Sequence, residues 1–228
     1  MNNPKQLAFP WNKINKSSLS GFYTSKANLE LITFLRDKNF SDDLFIYGAT
    51  NSGKTYLLQA ICNEYSSLDK TSFYIPLKHA KGYGTEILES LENIDLICID
   101  GIEAVISDEL WERAVFNLIN RAFSSKSRLI LTSSSSLESL NFLLPDLESR
   151  IRRIQSYELY SIDDTEIYDA LNHISNIASI KLGEKEARYL ITYSKRDISN
   201  LVEVLESLDK LSLELKRKIS IPLIKELI

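Results

Sequence analysis

Residues Gly48-Ala49-Thr50-Asn51-Ser52-Gly53-Lys54-Thr55 form the pattern G-x-x-x-x-G-K-T, and this stretch constrains the fold more than any other. The apolar run Leu44-Phe45-Ile46-Tyr47 precedes it, and the helical pattern Tyr56-Leu57-Leu58-Gln59-Ala60-Ile61 follows. Strand, glycine loop and helix, in that order, is the setting in which such a loop binds phosphate. Glycines let successive backbone N–H groups turn inward around an anion. The helix N-terminus adds a favourable dipole. Lys54 is placed to reach the β-phosphate and any γ-phosphate, and the Thr55 hydroxyl to hold Mg²⁺. The expected ligands are therefore ADP or ATP with Mg²⁺. The expected contacts are Gly48, Ala49, Thr50, Asn51, Ser52, Gly53, Lys54, Thr55 and the adjacent Tyr56.

From residue 44 onward the chain alternates strands and helices, which predicts an α/β domain on a parallel sheet. Strands are expected at 44–47, 71–75, 95–99, 128–132 and 156–160, and helices at 27–37, 54–66, 84–92 and 107–124. Leu96-Ile97-Cys98-Ile99 and Leu129-Ile130-Leu131 are unbroken apolar runs, which suits strands covered on both faces. Leu110, Trp111, Ala114, Val115, Leu118, Ile119, Ala122 and Phe123 make one apolar stripe, with Ser107 as the expected N-cap. After about residue 162 the strand pattern stops. Segments 164–176, 183–194, 197–211 and 221–227 read as helices, with Gly183 at a boundary and Pro222 in a first turn.

Leu96-Ile97-Cys98-Ile99-Asp100 is an apolar strand ending in an acid, placed after the loop where such an acid orders the Mg²⁺ shell. The expected metal contacts, made through the nucleotide, are thus Thr55 and Asp100.

Composition narrows the remaining choices. With 228 residues, 44% hydrophobic and 25% charged, the chain is globular and large enough for a sizeable core. A net charge of -4 argues against a protein that coats DNA, although Arg150-Ile151-Arg152-Arg153 is a local basic run. Cys62 and Cys98 fall inside apolar segments and read as buried, reduced thiols of a cytoplasmic protein. His79 and His173 stand far apart without cysteine partners, so no zinc site is expected. The sequence holds no apolar run long enough to cross a membrane and no signal-peptide core at residues 1–15. The apolar patch Gln6-Leu7-Ala8-Phe9-Pro10-Trp11 lies in an otherwise polar tail. Such a patch cannot build a core, so it must fold back on the domain or bind a partner.

The phosphate loop, the acid-ended strand, the polar strand end Thr132-Ser133-Ser134 and the helical C-terminal part together resemble the AAA+ ATPases. Within them the chain is similar to the DnaA-related family, and most to its short members that inactivate the replication initiator DnaA. That closer match rests on Ile99-Asp100-Gly101-Ile102-Glu103, Asp108-Glu109-Leu110-Trp111-Glu112, Leu144-Pro145-Asp146-Leu147-Glu148-Ser149-Arg150 and Ile221-Pro222-Leu223-Ile224-Lys225-Glu226. The tail residues Gln6, Leu7, Ala8, Phe9 and Pro10 resemble the family's peptide for the DNA polymerase sliding clamp.

The resemblance implies a five-stranded parallel sheet followed by a small all-helical lid. The expected division is a tail at 1–20, an AAA+ domain at 21–162 and a lid at 163–228. It further implies that Arg196 contacts the phosphates of bound nucleotide and that Arg150 is an arginine finger acting in trans. The implied partners are the β-subunit clamp and DnaA, with homodimers also expected. Three departures stand out. Gly101 occupies the place of the family's second acid, with Glu103 two residues further on; Ser134 stands where DnaA is acidic; and no helix-turn-helix segment follows the lid. The first two predict weak hydrolysis by the chain itself. The third predicts no sequence-specific DNA binding. The rival readings are an autonomous ATPase such as a helicase loader and a DNA-binding initiator fragment.

Overall fold

In the computed structural model, residues 17–37, 41–91, 93–195 and 197–228 are described. Helix α1 (Leu29–Arg36) leads into β1 (Leu44–Tyr47), and the phosphate loop follows. Next come α2 (Lys54–Ser67), β2 (Ser72–Pro76) and the short α3 (Leu77–Ala80). They are followed by β3 (Leu96–Asp100), α4 (Glu109–Ser125), β4 (Arg128–Ser133), α5 (Pro145–Ile151) and β5 (Gln155–Glu158). The five strands form one parallel sheet in the order β2-β3-β4-β1-β5. The C-terminal part is helical: α6 (Ile167–Ile177), α7 (Glu184–Tyr193), α8 (Ile198–Leu215) and α9 (Ile221–Leu227). No described helix is long and apolar enough to cross a membrane.

The unbroken apolar strands have the burial they predict. Alternate residues point to opposite faces of a sheet, and here both faces are covered. Phe45, Ile97, Ile99, Leu129 and Leu131 pack with Trp111, Val115, Leu118 and Ile119 of α4 and Leu147 and Ile151 of α5. Leu44, Ile46, Leu96, Cys98 and Ile130 pack with α1 and α2 through Leu31, Ile32, Leu57, Leu58 and Ile61. A third cluster, around Leu171, Leu190, Leu201, Leu205 and Leu223, holds the last four helices together. Cys98 is fully buried, whereas Cys62 is only half-buried; both are free thiols.

Three local expectations are corrected. Segment 84–92 is not a helix along its described part. It makes a single 3-10 turn at Thr85–Leu88, bounded by Gly84 at φ 87°, extended Glu89 and left-handed Ser90. Leu88 and Leu91 reach the core from that turn, so burial is achieved without a helix. The N-cap of α4 is Asp108, whose carboxylate accepts the Trp111 N–H at 3.3 Å, while Ser107 turns the chain at φ 66°. A hydrogen bond from Lys81, at 2.7 Å, holds the Asp108 carboxyl below the usual carboxylate range. Finally, α5 was not expected; Pro145 at its start has the φ a first helical turn needs.

The position of α5 is set by a buried carboxylate. Glu112 is 0% exposed and accepts three backbone N–H groups, from Ser107 at 3.0 Å, Leu143 at 3.1 Å and Leu144 at 2.8 Å. One side chain therefore ties the turn before α4 to the loop that launches α5. Glu112→Gln puts an amide NH₂ among N–H donors and removes the charge. It should lower unfolding free energy by about 1.5–3 kcal/mol, the usual worth of a hydrogen bond to a charged group. Urea denaturation measures this, and a loss under about 0.5 kcal/mol, the size of an ordinary surface substitution, would remove Glu112 from that role.

Candidate functional site

The site lies at the carboxyl ends of β1, β3 and β4, where ligands bind open parallel sheets. The Gly48 N–H, just past β1, donates to Ser133 O at 3.2 Å and pins the loop to β4. A side chain on Gly48 would put its Cβ 2.2 Å from Leu159 O, so only glycine fits there. Gly53, the N-cap of α2, takes φ 99°, and a Cβ there would meet Phe22 at 2.9 Å. The loop thus delivers the exposed first N–H groups of α2 to its own hollow. Lys54 Nζ donates to Gly48 O and Ala49 O at 2.7 Å each. Burial pulls its ammonium down, and the Glu103 and Asp100 carboxylates oppose that pull.

Asp100 is the hub of the polar contacts. Its Oδ2 accepts the Thr55 hydroxyl at 2.7 Å and the Tyr74 hydroxyl at 2.7 Å, and its Oδ1 accepts the Thr132 hydroxyl at 2.7 Å. The Gly101 N–H donates in turn to Thr132 Oγ1 at 3.0 Å. Burial and the Asp100 charge push the Tyr74 phenol up, so Tyr74 remains a donor. Thr55 and Asp100 together make an oxygen donor pair of the kind Mg²⁺ takes beside nucleotide phosphates. Thr55, Tyr74, Asp100, Gly101 and Glu103 line one side of a cavity of about 630 Å³ that opens beyond the loop.

A second cavity, of about 250 Å³ and mainly apolar, lies on the other side of the loop. Its walls come from Gly21, Phe22 and Tyr23, from Gly53 and Tyr56 at the start of α2, and from Ile162, Ile174 of α6, and Ile198 and Val202 of α8. The first stretch is a strap fastened by Asn63 Nδ2 to Ser17 O at 2.7 Å, Arg36 to Leu19 O at 3.0 Å and Tyr56 OH to Ser18 O at 3.3 Å. Small-molecule sites are commonly lined in this way, by apolar side chains beside a few polar groups. The C-terminal helices meet the loop directly. Asn51 Nδ2 donates to the Asp197 carboxylate, which also caps α8 by accepting the Ser199 N–H at 2.9 Å.

The structure therefore brings together Gly48 through Tyr56 and Asp100. Arg196, the tail residues Gln6 to Pro10 and Trp11 lie outside the described residues. Arg150 sits on α5, half-buried, with no ion pair or side-chain hydrogen bond among the described residues, whereas Arg152 is paired with Glu148 at 2.5 Å. Sequence reasoning missed Tyr74, Thr132 as a ligand of Asp100, and the apolar slot. Tyr74 lies in the middle of β2 and Thr132 next to the end of β4, and only pairing across the sheet sets them around Asp100.

A parallel sheet with a phosphate loop after β1, an acid ending β3 and helices closing on the loop define a phosphate-loop protein with a helical lid. The model of the AAA domain family matches residues 42–168, and that of the Hda lid domain matches residues 163–228. An uncharacterized protein of Haemophilus influenzae is 37% identical over 229 residues, spanning 98% of each chain. Domain III of the replication initiation protein DnaA from Thermotoga maritima superposes with a TM-score of 0.76 at 19% identity, over 95% of this chain and 99% of that one. AMPPCP-bound DnaA from Aquifex aeolicus gives 0.70 at 20% identity, over 86% of this chain and 66% of that one. At such identities the two structures speak for the fold. The chain belongs to the AAA domain family, and its C-terminal part matches the Hda lid domain.

Proposed function

We propose that this protein is a nucleotide-bound negative regulator of replication initiation, and that it activates hydrolysis of the ATP held by DnaA. It binds ADP or ATP in its own loop, docks on the DNA-loaded sliding clamp through residues 6–10, and inserts Arg150 into the DnaA nucleotide site. The observation that carries the reading is the Arg150 guanidinium, which has no ion pair or side-chain hydrogen bond among the described residues. It stands on a helix whose start is held by buried Glu112, next to an Arg152 already engaged by Glu148. The Hda-type lid and the DnaA-like fold support the choice of partner. A guanidinium stabilises the charge of a transferring phosphoryl group without itself reacting. The test is hydrolysis of DnaA-bound ATP on clamp-loaded DNA, with and without this protein. Equal rates in the two arms reject the proposal.

In the chain's own site, Lys54 holds the phosphates, Thr55 and Asp100 hold Mg²⁺, Arg196 reaches over from the lid, and the apolar slot takes the base. Bound Mg²⁺ would supply charge neutralisation between the phosphates. Lys54→Ala should weaken ADP binding about tenfold to a hundredfold, since a charge-assisted contact contributes roughly 1.5–3 kcal/mol. Calorimetry measures it, and unchanged affinity would mean the loop lysine plays no part.

One observation favours the rival reading of an autonomous ATPase: Glu103 lines the same cavity as Thr55 and Asp100. Steady-state hydrolysis separates the two. The expected turnover of the isolated chain lies well under about 1 s⁻¹, the low end of the ordinary enzyme range. A value at or above it would make the chain a motor in its own right.

A further inference from the structure

Gly101 breaks the family pattern, yet the backbone there returns an acid to the site. Gly101 takes φ 76° and ψ 63°, a left-handed turn that glycine adopts readily. The 3-10 turn Ile102–Val105 follows and swings Glu103 back toward the end of β4. Glu103 Oε1 accepts the Ser134 N–H at 3.1 Å. A Cβ added to Gly101 would lie 3.9 Å from that Oε1 and 4.0 Å from the carboxyl carbon and Oε2. The Glu103 carboxylate therefore borders the space that a side chain on residue 101 would enter. Its Oε2 is buried and has no hydrogen-bond partner among the described residues. A buried carboxylate oxygen without a donor is costly, and in a working site such an atom marks a place for water or ligand. Glu103 lines the cavity with Thr55 and Asp100, and burial pulls the Lys54 ammonium down while the Glu103 charge, ahead of Asp100, opposes that pull.

We infer that Glu103 is a catalytic residue of this chain's own nucleotide site, orienting the water that attacks the terminal phosphate of a bound nucleoside triphosphate. The inference rests on the reading that the phosphate loop holds a nucleotide. In the step, the water oxygen forms a bond to the γ-phosphorus. The bond from that phosphorus to the bridging oxygen breaks, and its electron pair stays with the departing diphosphate. The water proton passes to Glu103 and then to the released phosphate. Without an arginine from a neighbouring subunit the step is slow, so the chain loads as the triphosphate form and ages to the diphosphate form.

The experiment loads the full-length protein with ATP and Mg²⁺ and follows the bound nucleotide by chromatography over hours in a single turnover. Wild type, Glu103→Gln and Glu103→Ala are compared, and calorimetry with a non-hydrolysable ATP analogue supplies a readout independent of turnover. Wild type should convert bound ATP to ADP. Both variants should convert it about 10²–10⁴-fold more slowly, the usual contribution of a positioned base, and still bind the analogue within a few-fold of wild type. Intact analogue binding with equal conversion rates overturns the inference alone, as does intact binding with no conversion by wild type. Failure of wild type to bind either nucleotide overturns the nucleotide reading and this inference with it.

Discussion

Replacing Arg150 with alanine should remove most of the stimulation of DnaA-bound ATP hydrolysis and leave this chain's own nucleotide binding unchanged. Arginine fingers contribute roughly 10³–10⁵ in rate, so a loss of that order is expected if Arg150 is the finger. Arg150→Lys should not restore it, because a point charge lacks the planar fork that spans two phosphate oxygens. The substitution should also be gentle on the fold, since the guanidinium makes no ion pair among the described residues and Leu147 and Ile151 do the packing of α5. The assay is ATP turnover by DnaA on clamp-loaded DNA, with ADP binding and clamp co-elution as controls. Full stimulation by Arg150→Ala would pass the role to exposed Arg153 or to Arg152. Full stimulation by all three single variants would end the trans-activation mechanism.

The second large effect concerns the tail. Removing residues 1–10 should abolish co-elution with the sliding clamp while leaving ADP affinity and unfolding intact. Leu7 and Phe9 are the apolar anchors of the proposed docking peptide. Buried anchors of this kind contribute about 2 kcal/mol or more each, so losing both should cost on the order of a thousandfold in affinity. Leu7→Ala combined with Phe9→Ala should match the truncation. Co-elution that survives both changes would mean that the clamp, if bound at all, is bound by another surface. The fold should not notice, because the strap that begins at Ser17 carries its own fastenings to Asn63, Arg36 and Tyr56.

What the sequence revealed was local in character. The phosphate loop is written in eight consecutive residues, and β1, β3 and β4 announce themselves as apolar runs, whereas the polar β5 does not. Asp100 was legible because it ends such a run. What stayed hidden depended on contacts between distant residues. Glu112 entered only as part of a family pattern, because nothing in its own helix reveals three backbone N–H groups arriving from two other segments. The apolar slot draws on residues from Gly21 to Val202, and no window of sequence contains it. The expected helix over 84–92 had the right apolar residues, but Gly84 and Ser90 take left-handed backbone and the chain makes a turn. Gly101 can be read in two ways. Read as a missing side chain, it suggested a site without a second acid; read as a backbone turn, it is what brings Glu103 to the cavity.

The strap has a consequence for any complex built on the tail. Ser17 is fixed to α2, the helix that carries Lys54, by the hydrogen bond from Asn63. A fully extended chain from Pro10 to Ser17 spans at most about 25 Å. A clamp gripping residues 6–10 is thus leashed to within that distance of α2. The leash turns a search through solution into a search over a small volume at high effective concentration. It also limits the arc from which Arg150 can approach a neighbour bound to the same DNA, so lengthening the tail should weaken activation while leaving each separate binding step untouched.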